Sequence, residues 1–214
     1  MSHLLGDGQE YASRDRAVWN GVFDRMPDEW YRAPPSDAMI QCRAYFRAHP
    51  CRRLLDVGCG FGRWAQFVAG QGVEEVIGLD YSEVGVRTAS AWARRDGFNA
   101  RFVVGSAMAL PFQRGLFDGA LVALLLDNLS RADCSRAVGS LNDVLRAGAR
   151  GFFAFSPVLT PAEAAAMTAD NPTSGCMHVV YDDHELEGCL SGWSVTRVAA
   201  STERLRLIEA TFTG

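Results

Sequence analysis

Two acids and a cluster of glycines carry the most legible chemistry in this sequence. Asp56 stands two residues before the first of three alternating glycines in Leu54-Leu55-Asp56-Val57-Gly58-Cys59-Gly60-Phe61-Gly62. Glycines at that spacing let the backbone turn sharply and approach a ligand with no Cβ in the way. Trp64, Phe67 and Val68 then follow at helical spacing, so the turn opens a helix whose free N–H groups face the same place. The pattern is Gly-x-Gly-x-Gly, which differs from the Gly-x-Gly-x-x-Gly of a dinucleotide loop. A carboxylate beside such a turn repels a pyrophosphate and suits an ammonium group. Asp80 ends a second apolar run, Glu75-Val76-Ile77-Gly78-Leu79, about 20 residues beyond the middle of the turn. An acid there can accept both hydroxyls of a ribose, and the Tyr81 ring can pack against a base. The plain alternatives are a ligand-free turn and an Asp that only caps the helix starting at Ser82 and Glu83. Coupled at this distance, the two acids favour a ligand, and S-adenosylmethionine joins ammonium, sulfonium, ribose and adenine in one molecule.

The elements that position these groups alternate strand and helix, as in a parallel sheet covered on both faces. A helix is expected over residues 11–25, then a proline-punctuated loop carrying Trp30 and Tyr31, then a second helix capped by Ser36 and Asp37 and running to about His49. The first strand starts at Arg53. Ser82 to Arg95 reads as a helix with Val86, Ala89 and Ala93 inward. Arg101 to Val104 and the near-continuous apolar run Phe117 to Leu125 read as strands, the latter central in the sheet. Asp133 is expected to cap a helix that Gly148 ends, with Cys134, Ala137, Val138, Leu141 and Leu145 on one face, and Gly151 to Ser156 forms the fifth strand. Beyond Pro157 the pattern loosens into a short helix over residues 161–169, a loop over 171–175, and a helix capped by Asp182 and Asp183. Trp193 to Ala200 and Arg204 to Phe212 close the chain as a hairpin, so one of them is antiparallel in the sheet.

Size and composition narrow the function classes. The 214 residues suit one domain with a sizeable core. A net charge of −4 with no basic block gives nucleic acid no electrostatic footprint. The longest apolar run, Ala120 to Leu126, is too short to span a bilayer, and the first residues lack the charged and apolar regions of a signal peptide. Cys42, Cys51, Cys59, Cys134, Cys176 and Cys189 form no C-x-x-C pair, which argues for reduced thiols in a cytoplasmic setting and against zinc.

Five motifs in order carry a family resemblance. They are Leu54 to Gly62; Val76-Ile77-Gly78-Leu79-Asp80-Tyr81-Ser82; Gly105-Ser106-Ala107-Met108-Ala109-Leu110-Pro111-Phe112; Phe117-Asp118-Gly119-Ala120; and Val144-Leu145-Arg146-Ala147-Gly148. Over residues 36–214 the chain resembles class I S-adenosylmethionine-dependent methyltransferases. It is most similar to the small-molecule members of the ubiquinone-biosynthesis-like and tellurite-resistance-like groups. The resemblance implies a three-layer, Rossmann-like α/β sandwich around a mostly parallel seven-stranded sheet with one antiparallel strand near the C-terminus. Residues 51–214 form the cofactor-binding core, and residues 1–50 supply N-terminal helices and a lid. By the same resemblance Asp56, Gly58, Cys59 and Gly60 hold the amino acid end of the cofactor, Asp80 the ribose, and Tyr81 the adenine face. Ser106, Ala107 and Met108 fall at the adenine edge, where many relatives have Asp in place of Ser106. Ala123 and Leu124 lie near the methionyl portion.

Methyl transfer is an in-line displacement at a carbon that the sulfonium has already activated. The protein must align the acceptor and exclude water, and it needs a general base only if the acceptor loses a proton. Asp127 and Asn128, just past the fourth strand, are candidates for a base and an acceptor contact, with helix or loop capping as the bland reading of Asp127. His178 and Tyr181, in the loose segment after strand five, are further catalytic candidates. Trp19, Trp30 and Tyr31 are candidate acceptor contacts, and an aromatic face among them would attract a sulfonium. Asp118 with Asp127 and Asn128 does not make a magnesium site, because the pair sits on the wrong connection. The expected partner is a small-molecule acceptor rather than nucleic acid or membrane, with a homodimer left open. A catalytically silent domain of the same fold, a macromolecular methyltransferase and a nicotinamide enzyme are the rival readings. No Asn/Asp-Pro-Pro-aromatic motif is present to grip a flipped base.

Overall fold

The computed structural model describes residues 16–26, 28–157, 181 and 183–214. Helix α1 runs through residues 16–24, followed by α2 (Asp28–Arg32), α3 (Asp37–Ala48), β1 (Cys51–Val57), α4 (Arg63–Val68), β2 (Val73–Asp80), α5 (Glu83–Asp96) and β3 (Ala100–Val104). Then come β4 (Phe117–Ala123), a 3-10 turn (Leu126–Asn128), α6 (Arg131–Val144), β5 (Leu145–Phe155), α7 (Asp183–Cys189), β6 (Trp193–Ala200) and β7 (Arg206–Phe212). The seven strands lie in the order β3-β2-β1-β4-β5-β7-β6. β3, β2, β1, β4 and β5 pair in parallel, while β7 runs antiparallel to both β5 and β6. The order reverses between β1 and β4, which is where a doubly wound sheet opens a crevice at its C-terminal edge.

Strand alternation explains why helices cover both faces. Leu54, Leu121, Phe152 and Leu207 point to one side and join Ala38, Cys42 and Phe46 of α3 with Ala65 and Val68 of α4. Leu55, Val122, Phe153 and Ile208 point to the other and join Cys134, Ala137, Val138 and Leu141 of α6. Each fully buried phenylalanine of β5 contributes about 1.5–3 kcal/mol of burial. α5 covers β2 and β3 from the α3–α4 side, with Ala89 and the Phe102 ring closing on Gly62. Ser36 and Ser82 cap α3 and α5 as their sequence contexts suggest, each hydroxyl accepting a first-turn amide.

Several boundaries differ from the sequence reading. α6 starts three residues early: Ser130, not Asp133, is the cap, accepting the Asp133 amide at 3.1 Å while its hydroxyl donates to the Asp133 carboxylate at 2.9 Å. Gly148 does not end that helix. α6 stops at Val144 and β5 begins at once, with a register shift opposite Phe117 and Gly119 that takes up the extra residues. β1 begins at Cys51 rather than Arg53, and β4 ends at Ala123 rather than Leu125. On α4 the buried positions are Ala65 and Val68, while Phe67 is only partly covered and lies under the Arg43 guanidinium at 4.4 Å. The helix and loop expected over residues 161–169 and 171–175, and His178, lie outside the described residues.

Candidate active site

The glycine turn is bound to the tip of β2. The amides of Gly58 and Cys59 both donate to the Leu79 carbonyl, at 2.8 and 3.1 Å. Gly58 and Gly60 both adopt positive φ, at 74° and 52°, a region that residues with a Cβ avoid. Added Cβ atoms would press on Leu125 at Gly58 and on the Phe23 ring at Gly60, each at 3.0 Å. Apolar side chains from β4's exit and from α1 therefore flank the turn on two sides.

Both acids are enclosed behind it. Asp56 is 1% exposed beside the first turn of α4, where the Ala65 amide favours its anion, and its Oδ2 has no partner. Burial, with the Asp80 carboxylate adding to it, pushes the Asp56 carboxyl up to about 8. At neutral pH the group therefore holds its proton, and an ammonium placed against the unpartnered oxygen would return it to the anion. Asp80 is buried too, and burial raises it. Its Oδ2 accepts the Gly60 amide at 2.9 Å and its Oδ1 accepts the Ser82 amide at 2.8 Å. Asp80 thus ties β2 to the turn and to α5, a structural role that the reading as a ribose ligand had not included. Each oxygen keeps a second lone pair for a hydroxyl donor. The loop after β3 joins the same corner, because the Gly105 amide donates to the Asp80 carbonyl at 2.9 Å. In that loop Ser106 Oγ accepts the Met108 amide at 3.3 Å, and Ala107 is buried.

The N-terminal helices are fastened onto this corner. The Ser82 hydroxyl donates to Asn20 at 2.5 Å, Arg16 lies 5.9 Å above the Tyr81 ring, and Trp19 packs 5.6 Å from Phe23. Trp19 is thereby brought to the turn. Tyr31 is not a free aromatic face: it is 1% exposed and lies on Trp92 of α5 with ring centroids 3.7 Å apart. Trp30, on the same short helix, is 62% exposed. Arg63, the first residue of α4, donates to the carbonyls of Tyr31 and Ala33, locking the α2–α3 connection to the end of the turn. The sequence places Phe23 with Val18, Trp19 and Val22 on one side of the helix but gives neither Phe23 nor Arg63 a place at the site.

At the other side of the crevice, Ala123 ends β4 and Leu124 takes a positive φ of 56°. The Asn128 amide nitrogen donates to the Leu124 carbonyl at 2.8 Å, so that side chain shapes the turn. Asp127 is 1% exposed; its Oδ2 accepts the Ser156 amide at 2.7 Å and its Oδ1 has no partner. Arg206 of β7 donates to the carbonyls of both Ser156 and Tyr181. The Tyr181 ring is buried between Phe155 and the Arg131 guanidinium, at 6.4 and 5.0 Å. Burial holds its hydroxyl well above the usual tyrosine range. Asp118 sits at the opposite end of β4, accepting the amides of Arg52 and Arg53.

A family model described as a methyltransferase domain matches residues 54–148, from β1 into β5. Over those residues, just under half of the chain, the sequence is similar to that of a methyltransferase domain. The domain is 32% identical over 122 residues to squalene methyltransferase 1 of Botryococcus braunii, covering 55% of this chain and 31% of that protein. It is 34% identical over 100 residues to demethylmenaquinone methyltransferase of Thermus thermophilus, covering 46% of this chain and 44% of that protein. The chain spans less than half the length of either relative. A methyltransferase structure from Aquifex aeolicus superposes with a TM-score of 0.70 at 17% identity, over 91% of this chain and 98% of that one, so the two share a fold. The buried, unpartnered Asp56 oxygen behind a Cβ-free turn fits the cationic amino acid end of S-adenosylmethionine. Among the described residues no helix is long and apolar enough to cross a membrane.

Proposed function

We propose that the domain transfers a methyl group from S-adenosylmethionine to a small-molecule acceptor by in-line displacement. The observation that carries this reading is the pair of enclosed carboxyls, Asp56 with an oxygen left over and Asp80 bound to the turn. Asp56, Gly58, Cys59 and Gly60 would hold the amino acid end, Asp80 the ribose, Tyr81 and the Ser106–Met108 loop the adenine, and Ala123 and Leu124 the methionyl chain. When bound, the cofactor supplies a methyl carbon activated by a sulfonium. The protein's own part is alignment and exclusion of water, which supplies up to roughly 7–11 kcal/mol in favourable cases. Residues 1–50 act as the cover over the core at 51–214: Phe23 on Gly60, Asn20 on Ser82 and the half-buried Trp19 support that division.

Asp127 is the group we assign to the acceptor side. One oxygen is held by the Ser156 amide, which leaves the other to accept a hydrogen bond or a proton from the acceptor. Asn128 and Trp19 complete the acceptor contacts, and His178 stands as a further candidate. The acidic net charge supports a small acceptor over nucleic acid. Free thiols at Cys42, Cys51, Cys59, Cys134 and Cys189 support a reducing, cytoplasmic setting. Calorimetry should show S-adenosylhomocysteine binding, and Asp80→Ala should weaken it by about tenfold or more. Absence of binding by the unaltered chain would end the proposal. A panel screened for S-adenosylhomocysteine release should include squalene and demethylmenaquinone, the compounds named in two of the relatives.

A further inference from the structure

α6 and α7 meet through matched faces. Arg131 on α6 and Glu185 on α7 form an ion pair at 2.8 Å. Asn142, near the end of α6, donates to the Ser191 carbonyl just past α7 at 2.8 Å, so the two helices run alongside in the same direction and Cys134 and Cys189 both stand between these two fastenings. Cys134 is enclosed in the core on the α6 side of the sheet, and Cys189 packs against the same cluster while keeping some exposure. The Cys189 thiol and the buried Tyr181 hydroxyl, which has no hydrogen-bond partner, both act electrostatically on the Cys134 thiol. Both thiols are free.

We propose that Cys134 and Cys189 form a reversible disulfide, a modification site that fastens α7 to α6 beside Tyr181. The partner is a low-molecular-weight disulfide such as oxidised glutathione. The Cys189 thiolate, the one with access to solvent, attacks a sulfur of the reagent, forming a mixed disulfide and releasing one glutathione thiolate. Cys134 then gives up its proton and displaces the second glutathione, closing the protein disulfide. Two protein thiols and one small disulfide become one protein disulfide and two small thiols. Burial pushes the Cys134 thiol up to about 12, so it enters second, as the resolving sulfur. Cys42, Cys51 and Cys59 lie buried elsewhere, on β1, its turn and α3, and take no part.

The test equilibrates the full chain with glutathione buffers of increasing oxidised fraction, traps remaining thiols in denaturant, and maps the peptides by mass. The expected product links the peptides of Cys134 and Cys189, while Cys42, Cys51 and Cys59 are recovered alkylated. Cys134→Ser should leave Cys189 as the glutathione adduct, and Cys189→Ser should leave Cys134 reduced at every ratio. The oxidised chain should unfold at a higher urea concentration than the reduced one, because the bridge restricts the unfolded state. Full alkylation of both cysteines in the most oxidising buffer would overturn the proposal. So would a bridge from Cys189 to Cys176, or a lower urea midpoint on oxidation.

Discussion

Replacing Asp56 with Asn should stabilise the empty protein, by an amount that depends on pH. Burial holds the Asp56 carboxyl up to about 8, against an ordinary value of 3.8. For a carboxyl raised in the folded state, the stabilising contribution is complete below the unfolded value and disappears as pH rises through the folded one. Between these limits each pH unit removes about 1.4 kcal/mol from the native protein and nothing from the Asn variant. From pH 5 to pH 7 the stability gap should therefore widen by about 3 kcal/mol in favour of Asp56→Asn, then level off above pH 8. The new amide places N–H groups where Oδ2 had no partner, an offset of about 1–3 kcal/mol that does not vary with pH. Urea unfolding followed by tryptophan fluorescence at pH 5, 7 and 9 reads the slope directly. Saturating S-adenosylhomocysteine supplies a second arm: its affinity for the native protein should rise with pH relative to its affinity for the variant, since the ligand's own titration is common to both. A gap that stays flat from pH 5 to pH 9 would refute the idea that this carboxyl is kept protonated by its enclosure.

Four further outcomes follow from the same geometry. Gly60→Ala should lower stability by about 1–3 kcal/mol and weaken S-adenosylhomocysteine binding, because φ of 52° and the Phe23 ring both oppose a Cβ; thermal melts and calorimetry check it. Phe23→Ala should cost about 3–5 kcal/mol in urea unfolding and expose the Gly60 amide to faster hydrogen exchange. Ser106→Asp should tighten S-adenosylhomocysteine by about fivefold, through a charge-assisted bond to the exocyclic amine, while Ser106→Ala leaves it nearly unchanged. Asp127→Asn should leave that binding within about twofold but depress turnover once an acceptor is in hand, most strongly for acceptors that must lose a proton.

What the sequence disclosed was whatever depends on neighbours along the chain. Three glycines two residues apart, an acid before them and another at the next strand tip were enough to mark the turn, because local backbone geometry demands them. The closing hairpin was equally plain, since Ser201-Thr202-Glu203 separates two β-rich runs that pair as expected. The α6 cap was misplaced because Ser130 and Asp133 bond each other reciprocally, and either alone looks like a cap. Gly148 misled because a glycine at positive φ serves a strand irregularity as well as a helix end. Tyr31 meets Trp92, and Arg63 meets the carbonyls of Tyr31 and Ala33, across separations that no periodicity reports. The unpartnered oxygens of Asp56 and Asp127 belong to the same class: enclosure is a property of the packed sheet, and single residues do not announce it.

Arg206 gives the fold a seam. Its guanidinium grips the carbonyl where the chain leaves β5, at Ser156, and again where it returns, at Tyr181. One side chain of β7 thus holds together two backbone points far apart along the chain. Arg206→Met should therefore loosen both points in step, read as faster hydrogen exchange at the Ser156 and Tyr181 amides together; a change at one alone would break the link.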